Sequence, residues 1–358
     1  MNATMPAPAL PNAAAPDAED RDLLRAAAAI TKEARKAQPA IYWGDTIASA
    51  VVGYGSLIAL VNRAPDGLSV LLFVVAVLAL YRAESFIHEL THVLPGRLPG
   101  FNAGWNALVG IPLLTPSFMY EGVHNQHHLR HAYGTPRDPE YKPLAQSGWL
   151  GVVGFTLLAA LAPVALILRF AVLAPLSLLI PPLREAVVSR FSALAINPDY
   201  RRSRPKPEAY RRWLVLETLA SLWAMTMVAL VAKGVVSLRT AGMVLAVLSM
   251  VALVNQIRTL AAHMWQNDSG EPMSLTAQYA DSVNVPPPAL LPALWAPVGL
   301  RYHGLHHLLP SLPYHELGKA HKRLAAEFGR GATYHGSNYA SLWAVVRSWF
   351  GTRRPTTR

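Results

Sequence analysis

Four long apolar runs dominate the chain, and they come in two pairs. The first pair covers about Tyr42 to Val61 and about Leu68 to Phe86, joined by the polar turn Asn62-Arg-Ala-Pro-Asp-Gly67. The second covers Trp213 to Val231 and about Leu238 to Leu260, joined near Lys233-Gly234. Each run approaches the ~20 residues that cross a hydrocarbon core. The short links make each pair a helical hairpin. Other apolar stretches are interrupted. Phe101 to Phe118 contains Gly104, Gly110, Pro112 and Pro116 and reads as re-entrant or interfacial. Gly148 to Pro182 is strongly apolar but carries Arg169, Pro163, Pro175 and Pro181, which suits a surface-lying or hairpin element better than one straight span. Ala289 to Leu300 is apolar and proline-rich, and reads as interfacial. The pattern predicts an all-α integral membrane protein. It has about four transmembrane helices in two hairpins, interfacial helices and a histidine-rich cap on the cytoplasmic side.

The ends differ from this body. Residues 1 to about 22 are rich in Ala and Pro, lack an apolar signal core and read as a disordered tail. Leu23 to Lys36 predicts a short amphipathic helix at the membrane surface. The divisions are therefore 1–36 for the tail and surface helix, 37–345 for one membrane domain and 346–358 for a basic tail. Asp45, near the start of the first run, is expected at the interface.

Composition sharpens the class. Apolar residues make up 52% and charged residues only 15%, against about 25% charge in soluble domains. The formal net charge is +11. The run Arg184, Arg190, Arg201, Arg202, Arg204, Lys206, Arg211 and Arg212 reads as a positive-inside, cytoplasmic surface. No nucleic-acid-binding signature accompanies it, so nucleic acid is not an expected partner. There is no cysteine. That excludes disulfides, thiolate zinc sites and a built-in iron–sulfur cluster, and leaves histidine and carboxylate as the strong metal ligands.

Thirteen histidines are present, and eight fall in three groups. These are His88-Glu-Leu-Thr-His92, His124-Asn-Gln-His-His128 and His303-Gly-Leu-His-His307, each beside a membrane boundary. His263 makes nine. Positions i, i+3 and i+4 share one helix face. Neutral imidazoles suit Zn, Cu, Fe and Ni. Nine ligands exceed one ion's demand and fit two ions of four or five ligands each. If all groups meet, an even number of crossings separates His92 from His263. The last hairpin supplies two, so Gly148 to Pro182 crosses either zero times or twice.

The three boxes, their order, Asp138-Pro-Glu140 after the second, and the continuation His303-Gly-Leu-His-His-Leu-Leu-Pro-Ser-Leu-Pro-Tyr-His315 resemble the integral-membrane fatty acid desaturases of the desaturase/hydroxylase superfamily. So does Asn255-Gln-Ile-Arg-Thr-Leu-Ala-Ala-His263. The resemblance covers about Tyr42 to Leu324. It implies a non-haem di-iron centre at the cytoplasmic membrane face (the inner membrane, if bacterial). It also implies a desaturase using dioxygen and two electrons on a fatty acyl chain. By it, His88, His92, His124, His127, His128, His263, His303, His306 and His307 bind two iron ions. His131, Asp138, Glu140 and Asn255 are candidates to support those ligands. His315, His321 and His335 read as ordinary residues. A separate electron donor is implied, such as ferredoxin, rubredoxin or cytochrome b5 with its reductase. The chain has no His-Pro-Gly-Gly haem signature and no Gly-rich dinucleotide fingerprint.

Rival readings share some residues. His88-Glu-Leu-Thr-His92 matches the zincin pattern of an intramembrane metalloprotease, with Glu89 as base and Asn197-Pro-Asp199 as a third ligand region. It leaves two boxes without a role. A hydroxylase, carotenoid ketolase or alkane monooxygenase would keep all three boxes, and spacing alone does not separate these from a desaturase. A lipid-binding or metal-transport protein would need neither oxygen nor reductant.

Overall fold

The computed structural model describes residues 18–34, 36–94, 96–329 and 331–351. Residues 1–17 of the expected N-terminal tail and 352–358 of the basic tail lie outside them. Among the described residues the chain is helical, with three isolated β-bridges in place of any sheet.

Helix α1, Ala18–Glu33, is amphipathic as expected, but its apolar face is not left for lipid. Leu23, Ala26, Ala27 and Ile30 are buried against Leu317, Ala320 and Leu324 of a later helix. The protein itself covers the stripe. Helices α2, Pro39–Val61, and α3, Gly67–His92, form the first hairpin. The turn ends where Asp66 caps α3: its carboxylate accepts from Ser69 N at 2.9 Å, and Ser69 Oγ returns to Asp66 N at 3.2 Å. Asp45 is half-buried and carries Arg82 at 2.7 Å and the Tyr314 hydroxyl at 2.9 Å, so it joins the hairpin to the third box's continuation.

Between α3 and the second box the chain folds back on itself. Asn106 donates to Ser117 Oγ at 2.9 Å and accepts from Ser117 N at 2.8 Å, closing the Phe101–Phe118 stretch into a loop. The second box starts on the short helix α4, Val123–His127.

Among the described residues, five helices are long and apolar enough to cross a membrane; the third is the broken segment α5, Gly148–Ser177, besides α2, α3, α6 (Pro207–Ala232) and α7 (Leu238–Leu260). Its contacts give its depth. Gly148 and Val152 lie beside Leu260 at the end of α7. Phe155 O accepts from Gln256 at 3.3 Å, and Ala160 O accepts from Ser249 at 2.7 Å. Ser249 is eleven residues before Leu260, or about 16 Å of helix, half of a ~30 Å core. The segment then turns at Ala159–Pro163. Arg169 meets Glu217 at 2.5 Å, one turn beyond Trp213, whose ring stacks on Phe118 at 4.9 Å. Glu217 also accepts from Arg184 at 2.7 Å. The segment thus rises to mid-depth and returns to the face it left. Those contacts correspond to zero crossings, one of the two counts that the parity of the histidine groups allows.

The third box lies on helix α8, His303–Leu308, followed by α9, Tyr314–Glu327. Bridges His263↔Ser282 and Asn284↔Tyr302 clip the end of α7 to this box. Helix α10, Leu342–Gly351, runs through the boundary expected at 346 and buries Val345 and Trp349 against Leu260 and Trp265.

Candidate metal centre

Nine histidines converge from four segments. His88, His92, His124, His128 and His306 form one group; His127, His263, His303 and His307 form a second. Within each, one nitrogen per residue lies within 4.8 Å of all the others. The groups are adjacent: the His128 and His307 rings stack at 4.4 Å. The sequence expectation of two ions with four or five ligands each matches this division in number.

The nitrogens face inward. His124 and His128 bring their Nε2 atoms to 3.0 Å, His263 and His303 to 3.0 Å, and His303 and His307 to 3.2 Å. His306 Nε2 is 3.1 Å from both His92 Nε2 and His128 Nε2. One N–H cannot point at two acceptors, so protons alone do not satisfy the group. Burial, aided by neighbouring imidazoles, holds His124, His128, His263, His303, His306 and His307 well below the usual imidazole pKa. They are neutral, with lone pairs crowded together. His127 Nε2 is buried with no hydrogen-bond partner. Two ligand atoms at right angles about an ion, each ~2.1 Å from it, stand ~3.0 Å apart. The donor set therefore fits a pair of cations.

Three of the outward nitrogens, those of His124, His127 and His263, are held by acids and phenols. His127 Nδ1 donates to both oxygens of Asp138 at 2.9 Å. Asp138 is fully buried and also accepts from Gly134 N and Glu140 N at 2.9 and 2.8 Å. Burial opposes protonation of His127, but Asp138 outweighs it and raises the pKa. His124 Nδ1 lies 2.9 Å from Glu140 and 2.9 Å from the Tyr120 hydroxyl. His263 Nδ1 lies 2.9 Å from the Tyr133 hydroxyl, which donates to Asp281 at 3.0 Å. Burial pushes Glu140 up to about 7 and Asp281 up to about 6. These contacts fix the ring orientations and leave Nε2 inward.

Two expected supporting residues stand elsewhere. His131 is exposed on the turn after the second box and joins neither group. Asn255 accepts from Arg258 at 3.3 Å and lines a neighbouring cavity, with no hydrogen bond to a histidine among the described residues. Tyr120, Tyr133, Asp281 and Ser282 were missed. Tyr120 had a signal, being four residues before His124; Asp281 had none, because only the long-range clip brings it near. His315, His321 and His335 bond Glu316, Tyr334 and Phe328 O at 3.2, 2.8 and 3.0 Å, as ordinary polar residues do. Glu89 accepts from the Tyr42 hydroxyl and from Tyr314 N at 3.2 Å, so it is occupied as a strut. Asn197 donates to Asp138 O and Pro136 O at 2.9 and 3.1 Å, clamping the acid loop, while Asp199 is exposed.

Residues 66–338 match the family model described as fatty acid desaturase. The chain belongs to the fatty acid desaturase family. It is thus an oxygen-using oxidoreductase on a multi-pass membrane scaffold. The chain is also 46% identical over 333 residues to the ceramide hydroxylase of Caulobacter vibrioides (strain NA1000 / CB15N), covering 93% of this chain and 94% of that one. No solved structure matches it.

A cavity of about 470 Å³ adjoins the first histidine group of this family member. His88, Tyr120 and Glu140 line its inner end; Leu113, Met119, Leu248 and Val251 supply apolar wall. The broken segment closes it with Ala159, Ala162, Pro163 and Leu166.

Proposed function

We propose that this protein is a membrane hydroxylase that inserts one oxygen atom of dioxygen into a C–H bond of an amide-linked long-chain lipid, a ceramide or close relative. The observation that carries the reading is the near-full-length likeness to a ceramide hydroxylase. Desaturation, expected from the third-box continuation, uses the same centre and differs in the fate of one substrate radical. It is the second outcome.

Two iron ions, when held by the nine histidines, supply the oxidation of an unactivated C–H bond, which no acid or base can break. The balance is one C–H, one dioxygen, two electrons and two protons in, one alcohol and one water out. The chain's own residues do the rest. Asp138, Glu140, Tyr120, Tyr133 and Asp281 hold the imidazoles of His124, His127 and His263 in the ligating tautomer. The apolar wall orients the chain and keeps water from the reacting carbon. The broken segment, with one side on the cavity and Leu157, Leu158 and Leu161 exposed on the other, separates the site from lipid. Electrons come from a separate donor of the ferredoxin, rubredoxin or cytochrome b5 class. The basic run lies on the site's own face, where Arg202 donates to Phe118 O at 2.6 Å and Glu121 O at 2.7 Å. The positive-inside rule supports a cytoplasmic placement of that face.

Expression in a host lacking such an enzyme, followed by lipid profiling, tests this. A ceramide gaining one oxygen, and absent with His127→Ala, is the expected result. Loss of two hydrogens from the acyl chain without an oxygenated product would overturn it in favour of desaturation.

A further inference from the structure

The cavity beside His88 holds two charged groups to which the chemistry above gives no role. Glu84 stands on α3 one turn before His88, and Arg258 on α7, five residues before His263; both line the cavity with Thr115 and Asn255. Other charges on its wall are accounted for. Arg169 is bonded by Glu217, Glu140 is held by Tyr120 and His124, and Arg190 is exposed. Among the described residues, no carboxylate pairs with Arg258 and no base with Glu84. Arg258 Nε is buried with no acceptor, and its guanidinium reaches only the Asn255 amide oxygen, at 3.3 Å, and the Tyr81 and Tyr120 hydroxyls. An acid and a base kept apart at membrane depth, instead of joined, are costly and mark a functional site by default.

We propose that Glu84 and Arg258, with Asn255, bind the head of the substrate, an uncharged lipid carrying both an amide and a hydroxyl, and so bring a carbon near that head to the metal centre. The proposal rests on the hydroxylase reading and names its substrate class. A carboxylate accepts from a hydroxyl or amide N–H; a guanidinium and an amide NH2 donate to a carbonyl. One amide–alcohol head satisfies both walls. A fatty acid or phosphate head would set a like charge against Glu84, and a bare chain would leave both groups desolvated without an ionic partner. Glu84 and His88 are four residues apart, or about 6 Å along the helix. A head seated on Glu84 therefore puts a carbon only a few bonds away beside His88, and a mid-chain carbon out of reach.

The test uses the full chain in lipid nanodiscs, with N-palmitoyl sphinganine as probe and palmitic acid as comparison. Binding to the metal-free protein gives Kd, and the iron-loaded protein gives kcat and KM. The wild type should bind the amide lipid at least tenfold more tightly than the acid and place the new hydroxyl within a few carbons of the amide. Glu84→Gln and Arg258→Met should each weaken Kd about tenfold and raise KM more than they lower kcat, with iron content unchanged. Glu84→Asp and Asn255→Leu give the same readout if either variant fails to fold. A Kd unmoved by these changes, or a mid-chain product, overturns the anchor even where the probe is hydroxylated. Desaturation of the probe with a Glu84-dependent Kd overturns the hydroxylase reading and leaves the anchor standing.

Discussion

The two-ion division makes a sharp prediction at Asp138, which is buried and touches only one group directly. Its carboxylate accepts from His127 Nδ1 on both oxygens, from Gly134 N and from Glu140 N, all between 2.8 and 2.9 Å. Asp138→Asn keeps the shape but offers one acceptor oxygen and one NH2. Whichever way the amide turns, its NH2 faces a backbone N–H, and one donor is left buried and unsatisfied. A lost hydrogen bond to a charged group is worth about 1.5–3 kcal/mol, and about 1.4 kcal/mol is a factor of ten. The ion held by His127, His263, His303 and His307 should therefore bind about tenfold to a hundredfold more weakly, in line with other supporting partners of metal ligands. The other ion should be little changed. Metal analysis across a chelator series should show two steps in the variant, with about one ion per chain retained between them. Combining the change with His92→Ala should empty both groups, whereas combining it with His263→Ala should add little, because both act on one ion. Glu140→Gln should reverse the pairing, since Glu140 holds His124 of the other group. The reasoning fails if Asp138→Asn keeps both ions within threefold of the wild type, or loses both together.

Other consequences follow from the same contacts. His131→Ala should keep iron content and turnover within about twofold, measured on purified protein, because the side chain is exposed and outside both groups. Glu217→Ala strands Arg169 and Arg184, and losing one partner of a buried pair costs about 3–5 kcal/mol; a thermal melt should fall clearly, and an unchanged melt would refute the pinning of the broken segment. Glu89→Gln should keep most of the turnover while Glu89→Ala loses about 1–3 kcal/mol by leaving the Tyr42 hydroxyl unpaired; abolition of activity by Glu89→Gln would instead favour the zincin role.

The hairpins were legible because each of their four runs is long, apolar and free of interior proline. The broken segment was not, because composition gives no depth. Its level is set by Ser249 and Glu217, distant in sequence. His131 was misplaced for a related reason: i+4 spacing shares a face only while the helix lasts, and α4 ends at His127. Orientation of His263 was out of reach, since Tyr133 is 130 residues away and meets it only through tertiary packing.

The assignment of each histidine to its group, by contrast, lay within the boxes. Successive residues turn by about 100° around a helix, so i and i+4 lie about 40° apart while i+3 and i+4 lie about 100° apart. A pair at i and i+4 should share an ion, and the residue at i+3 should face its neighbour. The structure has this arrangement twice, in opposite senses. His124 and His128 go to the first group and His127 to the second; His303 and His307 go to the second and His306 to the first. His88 and His92, again i and i+4, stay together. Each HxxHH box thus gives two histidines to one group and one to the other, so both groups draw on both boxes. The family's spacing is therefore a statement about helix geometry: moving His127 or His306 by one residue would send its imidazole away from its group.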